Sequence, residues 1–292
     1  MKPPVFEYHS PAELTEALRL LDEYQDDDVK VLAGGQSLMP LLNMRLVRPG
    51  HIVDVNHVQG LDFVRTADDG RLVIGALARQ RSLEKSPEIA ARAPLMAEAL
   101  PLIGDRQVRY RGTIGGSLAH ADPAAELPLV AVALEAEIVL ASTAGQRSVA
   151  AHDFFVGTLT TALGPNELIV EIQFPPLPQG AGCALLELAR QHGAFAIASA
   201  AAIVTLSDGR IGQARLALGG VGPTPLRATA AEECLRGSRP TPDVLAQAGE
   251  LAAAAADPSG DVHGSAEYRR KMAGVFARRA LELALERAGN ES

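Results

Sequence analysis

The chain has 292 residues, a length that predicts two or three domains. Of these residues 47% are apolar but only 4% are aromatic and none is Trp, so the hydrophobic cores must be built from Ala, Leu, Val and Ile. A net charge of -8 and the lack of any Lys/Arg block disfavour a nucleic-acid partner. Only Cys183 and Cys234 occur, which excludes a disulfide scaffold and cannot supply the four thiolates of an iron–sulfur cluster.

Targeting, metal and hydrolase motifs are not found in the sequence. Residues 1–7 lack the apolar core of a signal peptide, and the longest apolar stretch, 194–206, is too short to span a bilayer. We therefore expect a cytoplasmic protein without a membrane span. The seven histidines are scattered, with no His-Glu-x-x-His motif and no zinc-type spacing, so we predict no metal site. No serine lies in a nucleophile-elbow motif, so the sequence shows no catalytic motif for hydrolysis.

Residues 1–55 have the pattern of a βαβ-like unit. Ser10 precedes Pro11 and is followed three residues later by Glu13, which predicts a helix that starts at Pro11 with Ser10 as its N-cap. The apolar run 29–33 stops at a Gly-Gly pair and predicts a buried strand that feeds a tight loop. A further strand is expected at 52–55.

The middle of the chain changes to short strands. Two of them, at 61–66 and 72–77, flank Ala67-Asp68-Asp69-Gly70, which predicts a hairpin. A helical stretch at 94–102 then leads to a second glycine loop. A helix at 123–134 and a strand at 136–141 are expected after this loop.

A stiff segment, Pro175-Pro176-Leu177-Pro178, predicts a domain boundary near residue 176. Beyond it, runs at 195–206 and 211–219 predict a second hairpin, and the glycine cluster 219–222 is expected to end its strand. Three helical stretches follow, the last at about 265–287. We therefore expect domains at 1–55, 56–176 and 177–292.

Two glycine-containing segments are the most informative features, Ala33-Gly34-Gly35-Gln36-Ser37-Leu38 and Thr113-Ile114-Gly115-Gly116-Ser117-Leu118. Paired glycines followed by a small hydroxyl let backbone N–H groups approach an anion closely. Neither segment has the Walker A Lys or the G-x-G-x-x-G pattern, which disfavours a P-loop and a Rossmann site. Each alone is typical of a plain turn, but two together favour a pyrophosphate held by neutral donors. We expect loop and helix-capping roles, rather than acid–base catalysis, for His120, Asp122 and Glu126.

At these two segments the sequence resembles the FAD-binding medium subunit of the carbon monoxide dehydrogenase and xanthine dehydrogenase group, whose motifs read A-G-G-[HQ]-S and T-I-G-G. The similarity runs along the whole chain through residues 6–8, 121–128, 219–227 and 264–270. The resemblance implies an α+β fold, in which two N-terminal α/β subdomains form an FAD-binding fold of the PCMH type. A C-terminal domain with a three-stranded antiparallel sheet and helices would follow.

The resemblance also implies which residues lie near FAD. The two segments would surround its diphosphate and ribityl chain, mostly through backbone amides, while Glu126 accepts hydrogen bonds from its hydroxyls. Leu163 and the stretch 190–195 would approach the flavin ring. The family commonly has Asp where Ala194 stands and Asn where Tyr110 stands, so the contacts at the ring stay open. The expected cofactor-binding residues are Val31, Leu32, Ala33, Gly34, Gly35, Gln36, Ser37, Leu38, Ile103, Thr113, Ile114, Gly115, Gly116, Ser117, Glu126 and Leu163.

The implied activity is electron transfer within a molybdenum hydroxylase. A molybdopterin-binding large subunit would oxidise the substrate, and a small subunit with [2Fe-2S] clusters would pass electrons to FAD on this chain, in a dimer of heterotrimers. No catalytic residue is predicted, because the flavin carries the redox chemistry. The substrate and the external acceptor, which is NAD, oxygen or a quinone, stay open. The alternatives are a free-standing FAD oxidoreductase of the same superfold, which whole-chain similarity disfavours, and a non-enzymatic scaffold, which the intact motifs disfavour.

Overall fold

The computed structural model describes residues 2–289, so the outermost residues of the expected first and third domains lie outside the described part. The chain folds as three successive units, each built on a sheet of its own. The first unit has a parallel sheet in which the third strand lies between the first two, as a βαβ-like opening requires. Its elements are β1 (Glu7–His9), α1 (Leu14–Glu23), β2 (Val29–Leu32), α2 (Leu38–Asn43) and β3 (His51–Asp54).

Two details of this unit differ from the sequence expectation. Helix α1 begins at Leu14 rather than Pro11, and its N-cap position, Glu13, makes no side-chain cap. Ser10 lies four residues before Leu14 and so cannot be the N-cap of α1, and a residue before proline favours extended backbone. Strand β2 is half-buried rather than buried, because it lies at the edge of the sheet.

The second unit is a five-stranded sheet in the order β4-β5-β10-β6-β7, whose pairs are all antiparallel. Six helices of this unit precede β6 in the chain. Its first elements are β4 (Val64–Thr66), β5 (Leu72–Gly75), α3 (Gln80–Glu84), α4 (Pro87–Arg92), α5 (Pro94–Ala99), a 3-10 turn (Leu100–Leu102), α6 (Arg106–Arg111), α7 (Ile114–His120) and α8 (Glu126–Ala133). The elements after them are β6 (Glu137–Ser142), β7 (Gly145–Ala150), α9 (Ala151–Phe154), β8 (Phe155–Gly157), β9 (Thr160–Thr161) and β10 (Leu168–Phe174).

The structure confirms the predicted β4–β5 hairpin, the helical stretch at 94–102 and the strand after residue 136. Helix α8 begins at Glu126, three residues later than the start expected at Pro123. The second glycine segment is not a loop as expected. Its glycines lie in the first turn of α7, for which Thr113 is the N-cap.

The third unit has a four-stranded antiparallel sheet in the order β11-β12-β13-β14. Three of its strands are long, and β14 adds two residues to the three-stranded sheet that was expected. The predicted hairpin and three helices are present, and Gly219 ends β13 as expected. The elements are β11 (Gly182–Leu188), β12 (Ala198–Ser207), β13 (Arg210–Gly219), β14 (Leu226–Arg227), α10 (Thr229–Leu235), α11 (Pro242–Ala255) and α12 (Ala266–Gly289).

Small residues let the helices of the third unit lie close to its sheet. A β-carbon at Gly182 would meet the backbone of α12 at Ala284, and Gly249 and Gly274 bring α11 and α12 into backbone contact. The buried face of α12 is mostly alanine, which explains how a core with so few aromatic residues is filled. Within residues 2–289 no helix is long and apolar enough to cross a bilayer.

The units share cores and contacts, and this fixes where their loops meet. Helix α1 of the first unit packs in one hydrophobic cluster with Val139, Leu168 and Val170 of the second sheet. Helix α8 packs against β12 and β13 of the third unit, and Gly220 donates a hydrogen bond to the carbonyl of Pro123 at 2.8 Å. The loops that follow β2, the 3-10 turn and β11 are therefore held by contacts between the units.

Candidate functional site

The first glycine segment joins β2 to α2 and offers unused backbone donors. Gly35 has φ +73°, a left-handed conformation that glycine adopts with little strain. Within residues 2–289, the N–H groups of residues 34–37 have no protein acceptor, whereas the carbonyls of Gly34 and Gly35 accept bonds from Gln36 and Met39. Four neighbouring N–H groups that are not used by the fold are an arrangement suited to an anionic ligand.

The second glycine segment is different, because the fold already uses its donors. The N–H groups of residues 114–117 all donate within the protein, to the carbonyls of Ala76, Ala78 and Thr113 and to the Thr113 hydroxyl, at 2.9 to 3.1 Å. A β-carbon at Gly115 would lie 2.8 Å from the carbonyl oxygen of Ala76. The glycines of this segment therefore allow close packing against residues 76–78. The expectation that its amides bind a ligand is not supported by these bonds.

The two segments meet at the backbone. A β-carbon at Gly34 would lie 2.3 Å from the carbonyl oxygen of Arg111, and one at Gly116 would lie 3.9 Å from the β-carbon of Ala33. The first segment and the backbone that leads into the second, more than seventy positions apart, thus form one continuous wall. The absence of a side chain at Gly34 is what permits this approach.

A cleft of about 480 Å³ lies over the first segment. It is lined by residues of the segment, by Met39, Pro40 and Asn43 of α2 and by Arg111. Arg111 is exposed. Burial of Arg79, together with the neighbouring charge of Arg111, lowers the pKa of Arg79 from its ordinary value. Arg111 therefore brings positive charge to the cleft, where it would attract an anion, and Arg79 lies next to it through the Arg111 carbonyl. The sequence argument expected neutral donors and did not include these arginines.

Arg79 and Asn56 connect the two segments, and the sequence analysis missed both. Arg79 donates to the carbonyl of Arg111 at 2.6 Å and to the Oδ1 of Asn56 at 2.6 Å. Asn56 donates to the carbonyl of Ala33 at 2.8 Å and to the Oδ1 of Asp54 at 2.5 Å. The position of Asn56, just after a strand of a parallel sheet, could have indicated a role in the site. Ligands of such sheets bind beyond the carboxyl ends of the strands.

Arg109 fixes the loop that carries Ile103. Its side chain is buried and donates to the carbonyls of Ile103 and Gly104 at 2.7 and 2.9 Å, while its Nε donates to Glu84 at 2.9 Å. Ile103 itself is half-buried against the core of the second unit. The arginine before the second segment is therefore a structural part of the site.

The stretch 190–195 of the third unit lies against this same loop. A β-carbon at Gly193 would lie 2.9 Å from the carbonyl group of Gly104, so the two backbones are in contact. Phe195 is 64% exposed, although it is a large apolar side chain. A second cleft of about 490 Å³ is lined by this stretch, by Asp122 to Ala124 and by Arg269. The loop of Ile103, predicted to lie near the cofactor, and the stretch 190–195, predicted to approach the flavin ring, are thus neighbours.

Two buried carboxyl groups lie behind these loops. Glu126, at the start of α8, is 6% exposed, and burial raises its pKa to about 8, with smaller contributions from the negative charges of Glu187 and Asp122. Burial also raises the pKa of Glu187 to about 7. One carboxylate oxygen of Glu187 is buried and has no hydrogen-bond partner among residues 2–289. At neutral pH Glu126 is therefore largely protonated and can donate as well as accept a hydrogen bond.

The remaining expected residues have less defined surroundings. Leu163 is half-buried on the core of the second unit, two residues after β9, and β9 lies against α7. Asp122 caps the turn before α8, since its carboxylate accepts from the N–H of Ala124 at 2.9 Å. This is the loop role that the sequence favoured. Tyr110, which replaces the common Asn, is 58% exposed with the Arg81 guanidinium 5.8 Å from its ring centre.

Comparison with protein families gives matches along nearly the whole chain. The family model described as the FAD binding domain in molybdopterin dehydrogenase matches residues 4–177. The model described as the CO dehydrogenase flavoprotein C-terminal domain matches residues 184–284. Both motif segments lie inside the first match, and the stretch 190–195 lies inside the second.

Relatives and solved structures agree with these matches. The 6-hydroxypseudooxynicotine dehydrogenase complex subunit alpha of Paenarthrobacter nicotinovorans is 44% identical, covering 99% of this chain and 97% of the relative. The carbon monoxide dehydrogenase medium chain of Hydrogenophaga pseudoflava is 41% identical, covering 98% and 99%. A solved structure of carbon monoxide dehydrogenase from that organism superposes with a TM-score of 0.95 at 42% identity, covering 98% of this chain and 99% of the other. The chain therefore belongs to the family of FAD-binding medium subunits of molybdenum hydroxylases, to which the carbon monoxide dehydrogenase medium chain also belongs.

Proposed function

We propose that this chain takes electrons from the [2Fe-2S] clusters of a small partner subunit and passes them, through bound FAD, to an external acceptor. The observation that carries the proposal is the wall formed where Gly34 meets the Arg111 carbonyl, with four unused N–H groups on one side of it. Such a wall can hold a diphosphate without any charged side chain from the segment itself. Membership of the medium-subunit family supports FAD as the ligand.

The residues at the wall would act by holding the diphosphate. The N–H groups of residues 34–37 would donate to its oxygens, and Arg111 would contribute charge beside the cleft. The second segment would contribute shape, because its own N–H groups are used within the fold. Arg79 and Asn56 would keep the two segments in register by their bonds to the carbonyls of Arg111 and Ala33.

The stretch 190–195, which lines the second cleft, would approach the flavin ring together with Ile103 and Leu163. Ile103 and Leu163 would provide apolar contact, and the stretch 190–195 lies against the loop of Ile103. Glu126 would bond to the ribityl hydroxyls, either as an acceptor or, since its pKa is about 8, as a donor. When bound, FAD would supply the electron transfer itself, and the chain would orient it and limit its exposure to water.

The proposal includes the assembly around this chain. A large subunit with molybdopterin and a small subunit with [2Fe-2S] clusters would complete a heterotrimer, two of which pair, and the complex would work in the cytoplasm. The chain itself would comprise domains at 1–55, 56–176 and 177–292. Each contains one of the three principal sheets, which supports these boundaries.

The first experiment is an absorbance spectrum of the purified chain before and after addition of FAD, with acid release of any bound nucleotide. We expect flavin bands and the release of one FAD per chain. A folded chain that carries no FAD and takes up none would contradict the proposal, provided that the chain purified within its complex is also free of flavin.

A second experiment tests the electron path. The chain would be co-expressed with the large and small subunits from neighbouring coding regions, and an affinity tag on this chain alone would be used for purification. We expect a complex with equal amounts of three subunits, whose flavin absorbance bleaches when substrate is added without oxygen and returns with the acceptor. A flavin that is not reduced while the iron–sulfur bands bleach would contradict transfer to this chain.

A further inference from the structure

Three potential metal ligands share one face of the first sheet, two on β1 and one on β3. Side chains alternate along a strand, so Glu7 and His9 of β1 point to the same side. The parallel register pairs Glu7 with His51 of β3, which places the His51 side chain on that side as well. The two histidines are 42 residues apart, which is why spacing along the chain indicated no metal site.

The distances between the ligand atoms suit a small divalent cation. His9 Nε2 and His51 Nδ1 are 3.1 Å apart, and His51 Nδ1 is 3.7 Å from Glu7 Oε2. All three ligand atoms lie within 4.8 Å of one another. Ligands at about 2.1 Å from a tetrahedral zinc ion are about 3.4 Å apart, which lies between the two measured separations.

Tyr24 holds the imidazoles in place. Its ring stacks on that of His51, with centroids 3.8 Å apart and planes 6° apart, and it also stacks on His9 at 5.1 Å. A ring held in this way loses little conformational entropy when it binds a metal. His51 is also well covered, with a side chain only 14% exposed.

The electrostatic surroundings favour a cation. Tyr24 is the C-cap residue of α1, so the end of the helix that carries partial negative charge lies next to the cluster.

We infer that Glu7, His9 and His51 form a binding site for a divalent transition metal, with zinc as the best-suited ion and water completing its coordination. Two imidazoles and one carboxylate disfavour magnesium and calcium, which take oxygen ligands. The ion would tie β1 to β3. This inference does not rest on flavin binding, because the three ligands lie outside the residues proposed to hold FAD.

The site would also support the first glycine segment. Tyr8, between the two β1 ligands, points to the other side of the strand and donates to Asp54 at 2.7 Å. Asp54 in turn accepts from Asn56, which holds the carbonyl of Ala33. Fixing β1 would therefore stabilise the network beneath the cleft, and zinc should raise the melting temperature of the chain.

The test is zinc titration of the full, untagged chain by calorimetry, with a melting curve at each zinc concentration. We expect one zinc per chain and a rise in melting temperature. Glu7→Gln should weaken binding by at least about tenfold, and His9→Ala and His51→Ala should remove it. The glutamine variant changes a side chain that is 74% exposed, so it should fold normally.

His152→Ala is the matched control, since His152 is a surface histidine beside a single carboxylate, Asp153, at 3.2 Å. It should bind zinc as the wild type does. The proposal is overturned if the wild type binds no zinc, or if the ligand variants bind it with wild-type affinity. Circular dichroism of each variant separates loss of the site from loss of the fold.

Discussion

Gly34 faces the carbonyl oxygen of Arg111 so closely that a β-carbon there would lie 2.3 Å from it. No side-chain movement can relieve that contact, because both partners are backbone. We therefore expect Gly34→Ala to push the two segments apart and to weaken FAD binding by at least about tenfold, since overpacking typically costs about 1–3 kcal/mol. Titration of the flavin-free chain with FAD measures this.

Gly157→Ala serves as the control, because a β-carbon there meets only Thr160 at an ordinary 3.8 Å. It should leave FAD affinity unchanged. Gly116→Ala should fall between the two, since its new methyl would meet the Thr113 hydroxyl at 2.8 Å but stays 3.9 Å from Ala33. Wild-type affinity in Gly34→Ala would show that the contact between the segments does not form the binding site.

Asn56 and Arg79 should affect FAD binding although neither belongs to a glycine segment. Asn56→Ala removes the bond to the Ala33 carbonyl and leaves the Arg79 guanidinium without one of its acceptors. We expect a loss of about 1–3 kcal/mol in the free energy of unfolding and weaker FAD binding. Urea denaturation and FAD titration measure the two effects separately.

Arg79→Met removes both bonds and the charge, while Arg79→Lys keeps the charge but cannot make the forked contact. The methionine variant should bind FAD more weakly than the lysine variant. Arg71→Met is the control, because Arg71 is exposed and its side chain bonds to Asp69 and Gln173, away from both segments. If Arg79→Met binds FAD like the wild type, the link between the segments has no role in the site.

The raised pKa of Glu126 predicts a specific pH dependence of stability. Its pKa is about 8 in the folded chain and 4.5 ordinarily, so between these values the folded state holds more protons than the unfolded state. The free energy of unfolding should therefore fall as the pH rises from about 4.5 to 8. Glutamine cannot ionise, so Glu126→Gln should lose this part of the decline and be more stable than wild type at high pH.

The measurement is urea denaturation of the flavin-free chain at several pH values. At pH values below 4.5 the variant and the wild type should differ little, because both are neutral at this position. Glu187→Gln should show the same behaviour over a narrower range, since the pKa of Glu187 is raised to about 7. A Glu126→Gln variant with the wild-type pH profile would contradict the protonated state proposed for this carboxyl group.

The sequence predicted the elements whose signals are local. The βαβ-like opening, the β4–β5 hairpin and the hairpin of the third unit are specified by apolar patterns and turn residues within a few positions. The start of α1 was wrong, since the helix begins at Leu14 and a capping pattern marks a possible start without fixing it. The glycines of α7 were taken for a loop, since glycine is a poor helix former and tertiary contacts decided the outcome.

The sequence indicated which segments form the candidate site, but not what each of them contributes to it. The motifs located the two segments, but only the fold shows that one offers free N–H groups while the other uses its own to pack on residues 76–78. Asn56, Arg79 and the pair His9 and His51 are single polar residues without a recognisable spacing. Their partners lie far away in the sequence, so only the fold brings them together.

Arg109 should position the Ile103 loop through its carbonyl bonds rather than through its ion pair. Arg109→Lys keeps the charge near Glu84 but cannot reach both the Ile103 and Gly104 carbonyls, which would leave buried acceptors unpaired at about 1–3 kcal/mol each. We expect lower stability, weaker FAD binding and a changed flavin spectrum. Glu84→Gln disturbs the ion pairs of Glu84 with Arg109 and Arg81 but leaves the two carbonyl bonds of Arg109 in place, so it should lower stability yet keep the FAD affinity and spectrum of the wild type. Equal loss of FAD affinity in both variants would mean that the buried charge pair, and not the loop contact, holds this side of the site.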